Sequence, residues 1–446
     1  MRIVIIGAVA AGTAAAAKAS RNAPDAQIVI YERDVDISYS GCGLPYFLSG
    51  EITDIAEIMP RDAAYFKKAY GVDVLTEHEV LSVDAKAKTL RVKNLKTKET
   101  FEDTFDKLIL ATGAVAKLPD IPGTRQEHVF SLRSVQDARR IQAFLEERKP
   151  RKAIIAGTGF IGLEMLESLT SLNLSVTLAE KGERIARHLD EEMSDHLKKL
   201  LEAKGISIRL SARLQSIGSD HVVLTNGETL PADMVLLATG VTPNTRLAAE
   251  MGLELGVDGA IRVNDRMETS LPYVFACGDC AETFSSVTNQ PVYKPLGSTA
   301  AKTGRIAGEN VTGGDMRYRG NLGTGIFRVF EWAVAATSLT QKEAEKLGYT
   351  VATCLHSQPD RPEYLGGQEM LIKAIADKKT GRLLGAQIIG VDGVDKRIDV
   401  LASLITCGAK AEDLSHIDLA YAPPFSTTRD PVHYTGMLLE SALRKG

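Results

Sequence analysis

Two long stretches of the chain repeat one pattern of apolar and polar positions. Each has a short unbroken apolar run, a glycine-rich turn, a helix-length segment and a second apolar run. The stretches are IVIIGAVAAGTAAAAKASRNAPDAQIVIYERD, from residue 3, and KAIIAGTGFIGLEMLESLTSLNLSVTLAEKGERI, from residue 152. Unbroken apolar runs of strand length are typical of parallel strands buried on both faces. The pattern predicts two strand–turn–helix–strand units and therefore an α/β chain with two Rossmann-like domains.

The first turn has the spacing of a dinucleotide-binding turn. Gly7 permits the tight turn and Gly12 permits close helix–strand contact, while Val9 stands where a middle glycine is usual. A pyrophosphate would lie at the helix N-terminus, because the free N–H groups and the helix dipole there favour anions. Glu32 ends the second strand, where an acid can bind a ribose hydroxyl.

The second turn carries the complete glycine pattern, with Gly157, Gly159 and Gly162 between a strand and a helix. Glu180 ends the following strand. An acid at this position hydrogen-bonds a ribose 2′-hydroxyl and repels a 2′-phosphate, which favours NADH over NADPH. Lys181 and Arg184 follow closely, so NADPH stays open as a second possibility. Two dinucleotide folds in one chain indicate a flavin and a nicotinamide nucleotide, since one can pass a hydride to the other.

Three further apolar strands run into glycine turns. Two end in Ala-Thr-Gly, at residues 111–113 and 238–240, and the third ends in Gly278-Asp279. The third would place a carboxylate at the C-terminal edge of a sheet, where α/β folds bind ligands. Cys277 and Cys280 form a C-x-x-C there, which suggests either a redox or zinc pair or two small residues in a packed turn. We favour the packed turn, because the sequence has no second pair at metal spacing.

Composition limits the classes of partner. The chain has 446 residues, a net charge of −4 and a pI near 6.1, which favours two or three domains and does not suggest a nucleic acid or an anionic membrane as partner. Its five cysteines fit a reducing cytoplasm better than a disulfide framework. The N-terminal apolar run could be read as a signal peptide, but the helix and second strand that follow argue against that.

One cysteine stands apart from the apolar pattern. Cys42 lies in SYSGCGLPYF, among glycine, serine and proline. Structural cysteines usually pack among apolar neighbours, so this position raises the possibility of a reactive thiol.

Together these segments resemble the flavin-dependent pyridine nucleotide–disulfide oxidoreductases over essentially the whole chain. The resemblance implies an FAD domain in two pieces, an NAD(P)H domain inserted in it and a C-terminal α+β domain that forms a homodimer. The expected boundaries are 1–112 and 246–322 for FAD, 113–245 for NAD(P)H, and 323–446 for the interface.

The resemblance also assigns cofactor-contacting positions for FAD and NADH. They are Gly7, Ala10, Ala11, Gly12, Glu32, Arg33, Val80, Ala111, Thr112, Gly113, Arg133, Gly157, Gly159, Phe160, Ile161, Gly162, Glu180, Gly240, Gly278, Asp279, Leu296, Ser298 and Phe425. Ala11 replaces a glycine that is usual in the subgroup described next, and we expect weaker FAD binding from its extra methyl.

Within this family the chain resembles the single-cysteine members. Two-cysteine members carry C-x-x-x-x-C, but the residue five beyond Cys42 is Phe47. Peroxidase and oxidase members carry a histidine where this chain has Ala10. The segments DLAYAPPFSTTRDPV and KRIDVLASLI are similar to those of coenzyme A disulfide reductases and persulfide reductases. No rhodanese-like domain is expected after them, so sulfur would arrive as a diffusible substrate or from a separate protein.

The substrate residues of that subgroup match unevenly. Ser38 matches, Arg21 matches a phosphate-binding arginine, and Lys18 lies one helical turn before it; a solvated helix face is the alternative for both cations. Arg429 replaces a lysine that contacts coenzyme A phosphates from the other subunit. Gly41 stands where asparagine is frequent and Ala301 where one branch has histidine, so the identity of the thiol stays open.

The resemblance implies a mechanism. A hydride passes from NAD(P)H through FAD to a mixed disulfide on Cys42, while Tyr421 or Tyr364 of the dimer assists the leaving thiolate. The substrate would be coenzyme A disulfide, coenzyme A persulfide or polysulfide. An NADH oxidase that uses a Cys42 sulfenic acid is the alternative, and an electron-transfer flavoprotein that does not need Cys42 is a third hypothesis.

Overall fold

A computed structural model describes residues 1–445 of the chain. The helices in this range are α1 Ala10–Asn22, α2 Leu44–Ser49, α3 Ala63–Tyr70, α4 Val135–Arg148, α5 Phe160–Ser171, α6 Glu191–Ala203, α7 Arg246–Glu250, α8 Gly297–Asn310, α9 Gln341–Lys346, α10 Val394–Thr406, α11 Ala411–His416 and α12 Pro431–Arg444.

The strands are short and distributed along the whole described range. They are β1 Arg2–Ile6, β2 Gln27–Tyr31, β3 Asp73–Leu75, β4 His78–Asp84, β5 Thr89–Asn94, β6 Thr100–Thr104, β7 Lys107–Leu110, β8 Ala114–Ala116, β9 Val129–Phe130, β10 Lys152–Ala156, β11 Ser175–Ala179, β12 Ser207–Arg209, β13 Leu214–Ile217, β14 His221–Leu224, β15 Thr229–Pro231, β16 Met234–Leu237, β17 Val241–Pro243, β18 Val274–Ala276, β19 Thr283–Phe284, β20 Pro291–Val292, β21 Gly325–Val329, β22 Trp332–Ser338, β23 Val351–Pro359, β24 Glu369–Asp377 and β25 Leu383–Gly390.

The chain forms two compact units, each built from separate stretches of sequence. The first comprises residues 1–117, 133–139 and 241–321, and the second comprises residues 118–132, 140–240 and 322–446. These stretches show that the chain crosses between the units several times. The three-domain boundaries expected from the sequence stay a prediction.

The first unit is built on a parallel sheet with the strand order β18-β7-β1-β2-β3. The central strand β1 is buried from Ile3 onward, as its unbroken apolar run predicts. Helices α1 and α8 cover one face of this sheet and approach each other closely. A Cβ atom added to Gly304 would lie 2.3 Å from the carbonyl oxygen of Ala11, and one added to Gly308 would lie 2.3 Å from that of Ala15. The alanine-rich sequence of α1 is therefore explained by helix packing.

The second unit contains a small three-stranded sheet, β13-β14-β15, and two five-stranded sheets that differ in type. The nucleotide-type sheet is parallel, with the order β12-β11-β10-β16-β9. The other sheet is antiparallel, with the order β21-β22-β25-β24-β23, and helices α10 and α12 pack on it. Strand β25 is buried along its whole length, from Leu383 to Gly390. This antiparallel sheet with its helices matches the expected C-terminal α+β architecture.

Buried polar contacts join the antiparallel sheet to the start of α6 within the second unit. The side-chain amide of Gln387 donates to Asp190 at 2.7 Å and its oxygen accepts from the Asp190 N–H at 2.8 Å. The buried ammonium of Lys373 donates to Glu192 at 2.8 Å and to Gln341 at 3.0 Å. Buried ions need such partners, and here each ion has more than one.

No helix among residues 1–445 combines the length and the apolar character that crossing a membrane requires.

Candidate functional site

The first glycine turn packs directly on the Ala-Thr-Gly stretch of the same unit. Gly7 has a φ of +108°, and a Cβ atom added to it would lie 2.2 Å from the carbonyl oxygen of Ala111. A Cβ added to Gly12 would lie 1.8 Å from the carbonyl oxygen of Gly7. Any side chain at either position would overlap a backbone carbonyl oxygen. Both positions therefore require glycine for space as well as for conformational freedom. The structure thus brings Gly7, Gly12 and Ala111 together.

The N-terminus of α1 is open for an anion. Val9 at the N-cap makes no side-chain capping hydrogen bond, and the first turn holds no acidic residue. By contrast, α3 and α12 are capped by Asp62 and Asp430. An uncapped helix start leaves N–H groups that a pyrophosphate oxygen can accept from.

Glu32 lies beside this open turn. Its carboxylate accepts hydrogen bonds from the N–H of Ala8 at 2.8 Å and of Asp34 at 3.0 Å. Burial raises the pKa of the Glu32 carboxyl above its ordinary value, although the two backbone hydrogen bonds act in the opposite direction. Arg33 beside it and Ala10 on α1 are exposed. The acid is thus held at the place where a ribose hydroxyl would meet it.

Ala11 points into the protein core beside Gly278. A Cβ atom added to Gly278 would lie 2.7 Å from the Cβ of Ala11, closer than two carbon atoms normally approach. Residue 278 therefore has to be glycine to accommodate Ala11. The weaker FAD binding expected from this methyl stays a prediction.

Asp279 follows Gly278 at the C-terminal end of β18 and is held from two sides. Its carboxylate forms an ion pair with the guanidinium of Arg133, and its carbonyl oxygen accepts from the hydroxyl of Tyr293 at 2.8 Å. The hydroxyl of Thr112 donates to the carbonyl oxygen of Asn244 at 2.6 Å, and the carbonyl oxygen of Gly113 accepts from the Asn244 N–H at 2.9 Å. These contacts order the edge of the sheet where the resemblance expects a flavin.

Three other positions predicted to contact the cofactors lie at the start of α8 and on β4, outside the two glycine turns. Leu296 is the uncapped N-cap of α8 and Ser298 is exposed on its first turn. The side chain of Val80 is in the core, while its carbonyl oxygen accepts from Arg246 at 3.3 Å. A contact from Val80 to a cofactor would therefore involve its backbone.

The first unit fits FAD on these observations. It combines an uncapped helix N-terminus, glycines whose side-chain space is filled by backbone, a ribose-type acid and an ordered carboxylate at the sheet edge. Glu32 would hold the ribose, the N-terminus of α1 the pyrophosphate, and Asp279 a hydroxyl further along the cofactor.

The second glycine turn repeats the first. A Cβ added to Gly157, whose φ is +105°, would lie 2.3 Å from the carbonyl oxygen of Ala238. A Cβ added to Gly162 would lie 2.2 Å from the carbonyl oxygen of Gly157. Gly159 is the N-cap of α5 and has open space around its α carbon, as does Gly240. The turn fits a second dinucleotide, and Ile161 belongs to the first turn of α5.

Glu180 is turned toward the glycine turn. One carboxylate oxygen accepts from the N–H of Thr158 at 3.2 Å and from its hydroxyl at 2.8 Å, and the other accepts from the N–H of Gly182 at 2.9 Å. The residue is only 5% exposed. Glu180 therefore joins the turn to the loop that follows β11. Only the small exposed part of its side chain is available to a ribose.

Phe160 lies in an aromatic cluster at the start of α5. Its ring stacks on His188, with centroids 4.7 Å apart, and meets Phe327 edge-on at 5.3 Å. A Cβ added to Gly325 would lie 2.6 Å from the Phe160 ring. The C-terminal part of the chain thus contributes to the surroundings of a predicted nicotinamide-nucleotide residue.

Glu164 is a titratable group that the sequence analysis did not identify. Burial, reinforced by the neighbouring Glu167, raises the pKa of its carboxyl to about 7. Glu167 is itself engaged, since it accepts from the N–H of Phe330 at 3.0 Å. Glu164 lies one helical turn after Phe160, and that spacing was the available signal in the sequence.

Cys42 is exposed on a single helical turn, Gly41–Gly43, which leads directly into α2. The N–H of Ser38 donates to the carbonyl oxygen of Ala8 at 2.8 Å, and that of Ser40 to Ile58 at 2.8 Å. Ser38 adopts a φ of +50°, which few residues other than glycine adopt without strain. The cysteine loop is therefore attached to the first glycine turn through Ala8.

The surroundings of Cys42 offer no second thiol in the same segment. Phe47 is 8% exposed and belongs to the buried side of α2. Cys277 and Cys280 are fully buried, and burial raises the pKa of both thiols. The Cys280 thiol donates to the carbonyl oxygen of Leu110. This geometry favours the interpretation of the C-x-x-C as two small residues in a packed turn.

The two predicted phosphate-binding cations have different neighbours. Lys18 forms an ion pair with Glu309 at 2.6 Å and a hydrogen bond with Asn22. Arg21 lies over the ring of Tyr70, 5.2 Å from its centroid, and donates to the Tyr70 hydroxyl at 3.2 Å. The charge of Lys18 is thus paired within the protein, whereas the side chain of Arg21 is exposed to solvent. Tyr70 is a neighbour that sequence spacing could not reveal.

The remaining predicted residues lie on two segments of the second unit. Tyr421, Phe425 and Arg429 belong to the stretch before α12, and all three are exposed. The Tyr421 hydroxyl accepts from Thr428 at 3.1 Å, and the Arg429 guanidinium lies 5.3 Å from the centroid of Tyr434. Tyr364 lies on a helical turn between β23 and β24 and is 75% exposed.

Comparison with known proteins agrees with these observations. The family model described as pyridine nucleotide-disulphide oxidoreductase matches residues 1–294, and the dimerisation domain of the same family matches residues 326–431. The chain belongs to this family. The predicted fold class, the oxidoreductase class and the use of FAD with NAD(P)H are thereby confirmed, and the dimerisation domain indicates a homodimer.

Family members with related sequences cover nearly the full chain. The NAD(P)H coenzyme A polysulfide/persulfide reductase of Pyrococcus horikoshii is 36% identical over 97% of this chain and 96% of its own length. A coenzyme A disulfide reductase of Staphylococcus haemolyticus is 31% identical over 98% of both, and an NADH oxidase of Methanocaldococcus jannaschii also matches, at 34%. The NAD-dependent persulfide reductase from A. fulgidus has a similar structure, with a TM-score of 0.96 and 37% identity over 99% of this chain and 83% of that one.

Proposed function

We propose that this protein reduces coenzyme A disulfide, coenzyme A persulfide or polysulfide at Cys42, with electrons from NAD(P)H. The observation that carries the proposal is the exposed Cys42 on a loop attached to the FAD-type glycine turn, with buried Phe47 where a resolving cysteine would stand. Because that position holds no resolving cysteine, an exposed thiol here can form a mixed disulfide with an external sulfur. The names of the relatives support coenzyme A as the carrier of that sulfur.

The reaction has two steps at Cys42. The thiolate attacks a disulfide R–S–S–R, which forms the Cys42–S–S–R bond and releases one R–S⁻. Two electrons then break this bond and leave the Cys42 thiolate and a second R–S⁻. With a persulfide, the first step releases hydrosulfide in place of R–S⁻. The sum for a disulfide is NAD(P)H + H⁺ + R–S–S–R → NAD(P)⁺ + 2 R–SH.

A bound FAD would supply two-electron chemistry between the nicotinamide and the disulfide. The residues of the chain bind, orient and protonate. Glu32 and the N-terminus of α1 hold one dinucleotide, and Glu180 and the N-terminus of α5 hold the other. Tyr421 carries an ordered hydroxyl that can give a proton to the leaving thiolate across the homodimer.

We assign the substrate phosphates to Arg21 and, from the partner subunit of the homodimer, to the position of Arg429. Arg21 is exposed and its guanidinium is oriented by Tyr70, which suits a phosphate. Lys18 is paired with Glu309, so its contribution would be to place α1 against α8. Ser38 and Gly41 precede Cys42 in the same loop and would contact the sulfur-bearing end of the substrate.

Ala10 argues against the NADH oxidase alternative as the main activity. The residue is exposed on the first turn of α1 and carries only a methyl. It offers no imidazole to stabilise a peroxide leaving group, whereas peroxidase and oxidase members of the family carry a histidine at this position. Oxygen consumption is therefore expected to be a side reaction.

Kinetics of the Cys42→Ser variant test the proposal. We expect NADH-dependent reduction of coenzyme A disulfide to fall by about three orders of magnitude or more, because the nucleophile is removed. Reduction of a dye that takes electrons from the flavin directly is expected to stay within twofold of wild type. Disulfide reduction that survives the substitution would contradict the proposal.

A further inference from the structure

Arg397 lies at the junction of the two segments that carry the exposed tyrosines. It is the second residue of the KRIDVLASLI stretch, on α10, and is only 1% exposed. Its Nε donates to the Asp430 carboxylate at 3.1 Å, and its Nη2 donates to the same carboxylate at 3.0 Å. The same Nη2 donates to the carbonyl oxygen of Asp360 at 2.9 Å. One buried guanidinium thus contacts the ends of both segments.

The contact to Asp430 fixes the segment that carries Tyr421 and Arg429. Asp430 is the N-cap of α12, because its carboxylate accepts from the N–H of Val432 at 2.9 Å. The Ser426 hydroxyl donates to the same carboxylate at 2.7 Å. Burial would raise the pKa of the Asp430 carboxyl, but the hydrogen bonds from Arg397 and Val432 lower it. The Asp430 carboxylate therefore joins the end of this segment, through the Ser426 hydroxyl, to the start of α12.

The preceding residue of α10 adds a second attachment to this segment. The ammonium of Lys396 donates to the carbonyl oxygen of Phe425 at 2.8 Å. Successive side chains of one helix thus hold residues 425 and 430, and Tyr421 lies only a few residues before them. Within this stretch the Thr428 hydroxyl then orients that of Tyr421.

The contact to Asp360 fixes the base of the loop that carries Tyr364. Backbone hydrogen bonds close this base, since the N–H of Asp360 donates to the carbonyl oxygen of Gln368 at 2.9 Å. The N–H of Gln368 in turn donates to the Asp360 carboxylate at 3.2 Å. The loop between them is tight, because a Cβ added to Gly367 would lie 2.0 Å from the carbonyl oxygen of Arg361.

We infer that Arg397 is a positioning residue for disulfide reduction, acting through Asp430 and Asp360 to hold Tyr421 and Tyr364 in a fixed relation. The inference rests on the proposed function. The planar fork of arginine is needed because the acceptors lie in different directions, and a lysine could satisfy only part of them. Beside Arg397, helix α10 buries four apolar residues, Val394, Ile398, Leu401 and Ile405, which the Arg397→Lys change leaves in place.

Arg397→Lys is the decisive variant, with Arg444→Lys on α12 as the control for the same exchange at an exposed position. In the FAD-loaded dimer we expect coenzyme A disulfide reduction to fall about 10- to 100-fold in kcat, because small misplacements of a proton donor cost that much. The KM for NADH and the rate of flavin-dependent dye reduction should stay within twofold. Combining Arg397→Lys with Tyr421→Phe should give little further loss, since both changes affect the same group.

Hydrogen–deuterium exchange of the same proteins supplies a readout that does not depend on the substrate. Arg397→Lys is expected to speed exchange in residues 361–367 and 421–430 together, and Arg444→Lys in neither. Equal loss of dye and disulfide reduction, or unchanged exchange in both segments, would overturn the inference. A wild-type enzyme that reduces no sulfur substrate would refute the proposed function, and the exchange result would still decide whether Arg397 fixes both segments.

Discussion

Ala11 and Gly278 are in direct contact, and the absence of a side chain on Gly278 makes room for the methyl of Ala11. A Cβ on residue 278 would lie 2.7 Å from that methyl, and Gly278 also has a φ of +75°. The pair lies where the end of β18 approaches the helix that begins after the first glycine turn. Substitution of either residue should therefore change the affinity for FAD.

The Gly278→Ala variant should lose bound FAD, because overlap with Ala11 displaces the sheet edge and the left-handed backbone adds about 1 kcal/mol of strain. The Ala11→Gly change in the same chain should restore part of the binding by removing the overlap. The flavin-to-protein ratio and the FAD dissociation constant measure both effects. A double variant that binds FAD no better than Gly278→Ala alone would refute this relationship.

Glu164 should make stability fall as pH rises through neutrality. Its folded-state pKa is about 7 against an ordinary value of 4.5, so between these pH values the folded chain keeps a proton that the unfolded chain has lost. The free energy of unfolding is therefore highest below pH 4.5 for this group and declines until about pH 7. Glu164→Gln should remove the decline.

Denaturant unfolding of wild type and Glu164→Gln at pH 5 and pH 8 measures this difference. We expect the variant to gain on the order of 2 kcal/mol relative to wild type between the two pH values. The Glu147→Gln variant is the control for the same exchange, because Glu147 is exposed on α4. Equal pH dependence of wild type and Glu164→Gln would show that Glu164 does not titrate near neutrality.

Glu180 should determine the preference for NADH. Its carboxylate is held by Thr158 and Gly182, so it presents a fixed negative charge beside the second glycine turn. Glu180→Ala is expected to lower the ratio of kcat/KM for NADH over that for NADPH by about tenfold or more, because repulsion of a 2′-phosphate is lost. The exposed neighbour Glu183→Ala should leave the ratio within twofold. An unchanged ratio in Glu180→Ala would contradict the assignment.

Gly41 and Gly43 flank Cys42 but should respond differently to a side chain. A Cβ added to Gly41 meets no atom within 4 Å, whereas one added to Gly43 would lie 2.8 Å from Ile58. Gly41→Asn should therefore fold with an unchanged melting temperature and alter only the KM for the sulfur substrate. Gly43→Asn should destabilise the loop. A lower melting temperature in Gly41→Asn would show that the space beside Cys42 is smaller than described.

The sequence predicted best what is local in the chain. Gly7, Gly12, Gly157 and Gly162 each lie where the turn pattern requires, because their contacts are with backbone a few residues away or with the adjacent strand. Contacts between distant residues were not predictable. Lys18 follows the helical spacing of a phosphate ligand, yet its charge is met by Glu309, nearly three hundred residues later.

Burial and long-range polar contacts account for the other features that the sequence left hidden. Glu164 acquires its raised pKa from surroundings that no local pattern encodes. The KRIDVLASLI stretch could be recognised by similarity, but the contacts of Arg397 with Asp360 and Asp430 arise only when strand β23, helix α10 and helix α12 come together. Sequence similarity can therefore identify such a residue, but it does not reveal which distant residues the side chain contacts.

The mass of the Cys42 peptide shows whether Cys42 forms a covalent bond with the sulfur substrate. Protein purified anaerobically would be denatured and digested, and the peptide mass compared before and after treatment with a reductant. We expect a coenzyme A or polysulfide-sulfur adduct on Cys42, formed on exposure to the sulfur substrate and released by the reductant. Sulfenic or sulfinic acid on Cys42 with no thiol adduct under the same exposure would contradict this expectation and support the oxidase alternative.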